Sequence, residues 1–70
     1  MEFDRQRVID LREDKKLSQS ALAKMIGMKR QQLDDIEKGR HTPGLKTIAR
    51  IAEKLGVTGK FFIREGGTSE

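Results

Sequence analysis

Apolar residues recur at helical spacings through most of this 70-residue chain, and short polar or glycine-containing breaks divide them into five stretches. Residues 3–16 read as a first helix. Phe3, Val8 and Leu11, with Ile9 beside them, form its apolar side, and Asp4, Asp10, Glu13, Asp14, Lys15 and Lys16 cover the rest. Leu17 then precedes Ser18, whose hydroxyl suits an N-cap, and Leu17 with Leu22 stands at the spacing of a hydrophobic staple. The second helix buries Leu22 and Ile26, and Gly27 follows where a left-handed C-cap is expected. A third helix covers 30–38, turns Leu33 and Ile36 inward, and stops at Gly39. Arg40 to Gly44 is a loop by composition. The fourth helix, 45–55, buries Leu45, Ile48, Ile51, Ala52 and Leu55 and ends at Gly56. Thr58 caps a short fifth helix that presents Phe61, Phe62 and Ile63. No alternating strand pattern longer than three or four residues is present. The pattern predicts an all-α domain of five short helices over residues 1–65, followed by a flexible polar tail at 66–70.

Composition narrows what such a domain can do. A chain this short holds one domain, with little stability in reserve. It has no cysteine, so disulfides, thiolate metal sites and thiol nucleophiles are excluded, and a reducing compartment fits. His41 is the one histidine and is expected as an exposed loop residue; no metal site or cofactor is expected. The first residues lack the apolar stretch of a secretory signal, and no run approaches the roughly 20 apolar residues that span a bilayer. The expectation is a cytoplasmic protein with no membrane partner. Net charge is +4, with near balance in residues 1–35 and most of the excess in 36–70. That excess is compatible with a polyanionic partner and decides nothing alone. No serine–histidine–carboxylate set or phosphate loop is present, so no enzyme is expected.

The break at Gly27 carries the chemistry. Two helices joined by a three- or four-residue turn cross at roughly 90–120°. Ala23 is small enough to let their backbones approach, and Gly27 can take the positive φ that the turn needs. With Leu33 and Ile36 anchored inward, Arg30, Gln31, Gln32, Asp34 and Asp35 are left on the exposed side. Arginine pairs with guanine, glutamine with adenine, and a carboxylate accepts from cytosine N4. This is the build of a helix-turn-helix whose second helix enters the DNA major groove.

Over residues 7–63 the chain resembles the Cro and phage-repressor type of helix-turn-helix domain, the XRE family. The resemblance rests on Leu11-Arg12-Glu13, Leu17-Ser18-Gln19, Leu22-Ala23, Gly27, Ile36-Glu37-Lys38-Gly39, Pro43 and Ile51-Ala52-Glu53-Lys54-Leu55-Gly56-Val57. It implies that Arg12 and Glu37 form an ion pair tying the first helix to the recognition helix. It also implies that Gln19 touches a phosphate and braces the recognition helix, that Arg30, Gln31 and Asp35 face bases, and that the loop from Arg40 to Lys46 touches the DNA backbone. The expected contacts are Arg30, Gln31, Gln32 and Asp35 on bases, and Ser18, Gln19, Lys29, Arg40, Thr42 and Lys46 on phosphates. Lys29 departs from the family pattern, because it stands at the N-cap of the third helix and lysine has no acceptor for a cap.

Other expectations are structural. Asp34 pairs with Lys38 four residues on; Met25 and Met28 pack; one of Phe61 and Phe62 closes the core, and the other is a candidate for a dimer contact. The function expected is a transcriptional regulator, a repressor, that binds a palindromic double-stranded DNA operator as a homodimer. Alternatives of the same fold are an antitoxin with a small toxin partner, a restriction–modification controller, and an interaction module that has lost DNA binding.

Overall fold

The computed structural model describes residues 2–64, and the expected tail at 66–70 lies outside the described residues. Glu2–Phe3 (β1) pairs antiparallel with Ile63–Arg64 (β2), Glu2 opposite Arg64 and Phe3 opposite Ile63. Between them run α1 (Arg5–Asp14), α2 (Gln19–Ile26), α3 (Arg30–Glu37), α4 (Leu45–Leu55) and a single 3₁₀ turn, Gly59–Phe62. The five-helix, all-α expectation is therefore corrected, among the described residues, to four α-helices, one 3₁₀ turn and a two-stranded clasp. Thr58 stands at the cap position of the turn, but its side chain makes no capping bond. The Phe61 N–H donates to Thr58 O at 3.0 Å, the tighter i to i+3 bond. Ile63 then leaves in extended geometry to pair with Phe3. That pairing also moves the start of α1 from Phe3 to Arg5, because the Asp4 N–H donates to Phe62 O at 2.6 Å.

The core gathers Val8 of α1, Leu22, Ala23 and Ile26 of α2, Leu33 of α3, Ile48, Ile51, Ala52 and Leu55 of α4, and Phe62. Phe3, Leu11, Leu17, Met28, Val57 and Ile63 pack around it. Phe62 is fully buried and Phe61 is 37% exposed, the division expected of that pair. Phe61 meets Phe62 edge-on, ring centroids 5.3 Å apart, and carries the Arg7 guanidinium 5.0 Å from its own centroid.

Two apolar residues depart from expectation. Leu45 is 73% exposed: it lies on the apolar stripe of α4 but is the first helical residue after Gly44, where the stripe runs past the edge of the core. Met25 is 42% exposed. At about 100° per residue, Leu22, Ile26 and Ala23 share one arc of α2, and Met25 lies outside it, on the far side of Leu22.

The caps are legible in the residues. Ser18 Oγ accepts from the Ala21 N–H at 3.0 Å at the start of α2. Gly27, at φ 75°, ends α2 in the left-handed region, and the Met28 N–H reaches back to Ala23 O at 2.9 Å. Helix α1 ends differently. Lys16 takes the left-handed conformation at φ 59°, the one non-glycine residue to do so among the described residues.

Candidate nucleic-acid interface

The turn at Gly27 brings the start of α2 against the start of α3, and two side chains seal the junction. Gln19 Oε1 accepts from Arg30 Nη1 at 3.1 Å. Gln19 Nε2 donates to Asp34 Oδ1 at 3.1 Å and to Glu37 Oε1 at 2.9 Å. The two carboxylates accept only, so the amide must present its NH₂ to them and its carbonyl to the guanidinium. Reversing it would break all three bonds.

Behind this junction stands the expected ion pair. Arg12 grips Glu37 at two points, Nε to Oε2 at 2.7 Å and Nη2 to Oε1 at 3.0 Å, and its Nη1 donates to Leu17 O at 2.9 Å. The hydrogen bond to Glu37 raises the Arg12 pKa above its ordinary value, against the opposing pull of burial. One polar network thus runs from α1 through Glu37 and Gln19 to Arg30, and among the described residues no buried side-chain N or O lacks a partner.

Asp34 corrects the sequence expectation. The spacing puts it on the exposed side of α3, yet it is 8% exposed, because Gln19 and Lys38 close over it. The bond from Gln19, then that from Lys38, holds its carboxyl below the usual range. The expected pairing with Lys38 is present at 3.2 Å.

The helix that would read DNA opens at Lys29. The lysine side chain makes no cap; instead Gln32 Oε1 accepts from the Lys29 N–H at 2.9 Å, so Gln32 serves the helix start with one end of its amide. Arg30 and Gln31 are exposed in the first turn. Gln31 Nε2 donates to half-buried Asp35 at 3.0 Å, and Arg40 Nη1 approaches the same Oδ1 at 3.4 Å. The structure therefore joins Gln19 to Arg30, and Gln31 and Arg40 to Asp35. Ser18 engages its oxygen in the α2 cap, and Lys29, Thr42 and Lys46 are exposed.

Arg5 is a member of this architecture that the sequence reading missed. Its Nη1 donates to Glu37 O at 2.7 Å and caps the end of α3. A Cβ at Gly39 would lie 3.0 Å from Arg5 Nε, so the two segments approach closely. The available signal was spacing: Arg5 and Arg12 stand two turns apart on one face of α1.

Known proteins are similar to this chain in sequence and fold. The chain is 51% identical over 43 residues to the ImmF control region 10 kDa protein of Bacillus phage phi105, a match covering 61% of this chain and 48% of that protein. It thus spans about half the length of that relative. The fold matches the restriction-modification controller protein C.AhdI from Aeromonas hydrophila at a TM-score of 0.80 and 30% identity, over 84% of this chain and 89% of that one. It matches SinR, the master regulator for biofilm formation in a structure with DNA, at a TM-score of 0.78 and 27% identity, over 84% and 98%. The HTH_3 helix-turn-helix family matches residues 8–62. With the Gly27 turn, the Arg12–Glu37 pair and the braced third helix in place, the chain belongs to that helix-turn-helix family.

Proposed function

We propose that the chain is a sequence-specific DNA-binding transcriptional regulator and acts as a repressor, setting α3 into the major groove of a palindromic operator as a homodimer. One observation carries this reading. Arg30, exposed at the first turn of α3, is held in place by Gln19 from the first turn of α2, so a base-reading cation is pre-positioned at the end of the helix that meets base edges. Gln31 and Asp35 join it as base contacts, with Gln32 offering its free NH₂. Ser18, Lys29, Arg40, Thr42 and Lys46 lie along the phosphates. Gln19, expected there too, has given both amide hydrogens to Asp34 and Glu37 and serves as the brace of Arg30. One helix reads few base pairs, and two-fold pairing doubles the site, with half-sites about 34–36 Å apart. Exposed Phe61 is a candidate for the contact between copies. A regulator seated on a promoter excludes polymerase by occupancy, which is why repression is the direction proposed.

Selection of bound duplexes from a random pool tests the reading. The expected result is enrichment of two-fold symmetric sites, with Arg30→Ala losing preference at one base position. A pool that gains no sequence preference overturns it. A restriction–modification controller role is a second setting for the same activity, favoured by the 30% identity to C.AhdI over 89% of that chain.

A further inference from the structure

Asp35 binds two groups that a DNA reader needs elsewhere. Its Oδ1 takes the Gln31 amide at 3.0 Å and the Arg40 guanidinium at 3.4 Å. Asp34 Oδ2 adds a longer contact of 3.8 Å to the same Arg40 nitrogen and pairs with Lys38 at 3.2 Å. The cations at the end of α3 are thus held by carboxylates of α3 before any phosphate is near. The Arg40 backbone is fixed as well, its N–H donating to Asp35 O at 2.8 Å, so the side chain swings about an anchored point. That side chain is largely exposed and can reach a phosphate, which makes at least as good a partner for guanidinium as a carboxylate does.

We propose that Asp35 is a specificity-determining residue that works by exchange. In the free protein it retains Arg40. On the correct site a base donor, cytosine N4 or adenine N6, replaces Arg40 at the carboxylate, and Arg40 moves to the phosphate. On other sequences Asp35 finds no donor and keeps Arg40, so wrong DNA is disfavoured by the cation withheld from its phosphate. This inference rests on the DNA-binding reading above and adds to it a coupling between base readout and phosphate contact.

The test is a double-mutant cycle of Asp35→Asn and Arg40→Ala, titrated with the selected duplex and with a random duplex over a range of salt. Asparagine keeps an acceptor for Gln31 and removes the charge, and thermal melts of each variant establish that it is folded. Asp35→Asn should tighten binding to random DNA by about three- to tenfold and steepen its salt slope by about 0.9. Arg40→Ala should cost little on random DNA in the unaltered background and should cancel most of that gain in the Asp35→Asn background. Simple repulsion by Asp35 predicts the same Asp35→Asn gain with or without Arg40, so additive effects overturn the exchange. An unchanged affinity of Asp35→Asn for random DNA also overturns it. Failure of the unaltered chain to bind any duplex overturns the DNA-binding reading and this inference with it, an outcome distinct from additivity.

Discussion

Arg12 and Glu37, 25 residues apart in the chain, meet at two points, at 2.7 and 3.0 Å, in a site that is nearly closed to solvent. The pair fastens α3 to α1 while the other face of α3 stays open. A domain of this size has on the order of 3–10 kcal/mol of total stability. Breaking a buried pair from one side leaves the remaining charge uncompensated, at a cost of about 3–5 kcal/mol. Arg12→Ala should therefore lower the urea midpoint severely or leave the chain unfolded at room temperature. A midpoint within experimental scatter of the unaltered chain would show that the pair does not hold the helices together.

Gln19 is fixed in one orientation by what surrounds it, and Gln19→Glu turns that into a test. The substitution keeps the shape and sets a third carboxylate against Asp34 and Glu37. Folding should weaken by upward of about 2 kcal/mol at neutral pH. Acidification, which protonates the crowded carboxyls, should narrow the gap to the unaltered chain. Paired chemical denaturations at two pH values measure it, and a gap that widens on acidification would contradict the assigned amide orientation.

Asp34 supplies a pH dependence of its own. Its folded-state pKa is lowered by Gln19 and Lys38. Its contribution is therefore present above the unfolded carboxyl value of about 3.9 and is lost as pH falls from there through the lower folded value. Asp34→Asn removes that dependence. In melts followed from about pH 6 to pH 2, the difference in Tm between the unaltered chain and Asp34→Asn should shrink below about pH 4. A difference that stays constant across the range would place the acid sensitivity elsewhere.

Lys16 holds a backbone conformation that costs an L-residue roughly 1–2 kcal/mol, part of which glycine returns through its freer unfolded chain. Lys16→Gly should raise stability by about 0.5–1 kcal/mol, which for a domain of this length is a few degrees in Tm. The converse change at Gly27, where a Cβ meets nothing within 4 Å, isolates the backbone term. Gly27→Ala should cost about 1 kcal/mol with no packing penalty. Calorimetry of the two variants measures both, and a Tm lowered by Lys16→Gly would refute the strain.

The elements whose signals are local were readable in the residues: Ser18 capping α2, Gly27 turning it, Leu33 and Ile36 anchoring α3, and Gly56 ending α4. What escaped depends on neighbours brought from far along the chain. Phe3 looks like a helix residue until Ile63 arrives beside it, and two-residue strands are too short to alternate. Leu45 fits the stripe of α4, but nothing in the spacing says where the core stops. Asp34 and Asp35 are adjacent and chemically identical, yet Gln19 and Lys38 cover the first, and the second stays accessible to Arg40 and Gln31. The Arg12–Glu37 pair came from the family resemblance, since each residue by itself reads as a surface charge. Among the proposed DNA contacts, geometry adds the partner each side chain has before DNA is present: Gln19 for Arg30, Asp35 for Gln31 and Arg40, and the Lys29 amide for Gln32.

The short β1–β2 clasp has a topological consequence. By setting Glu2 opposite Arg64, it makes the described chain nearly a closed ring. A short linker joining these positions would complete the ring, and it could then be opened in the exposed stretch at Arg40–Thr42. Such a circular permutant would carry α4 ahead of α1 in sequence and leave every helix where it now lies. The order in which the helices are strung would then be separable from the place each occupies.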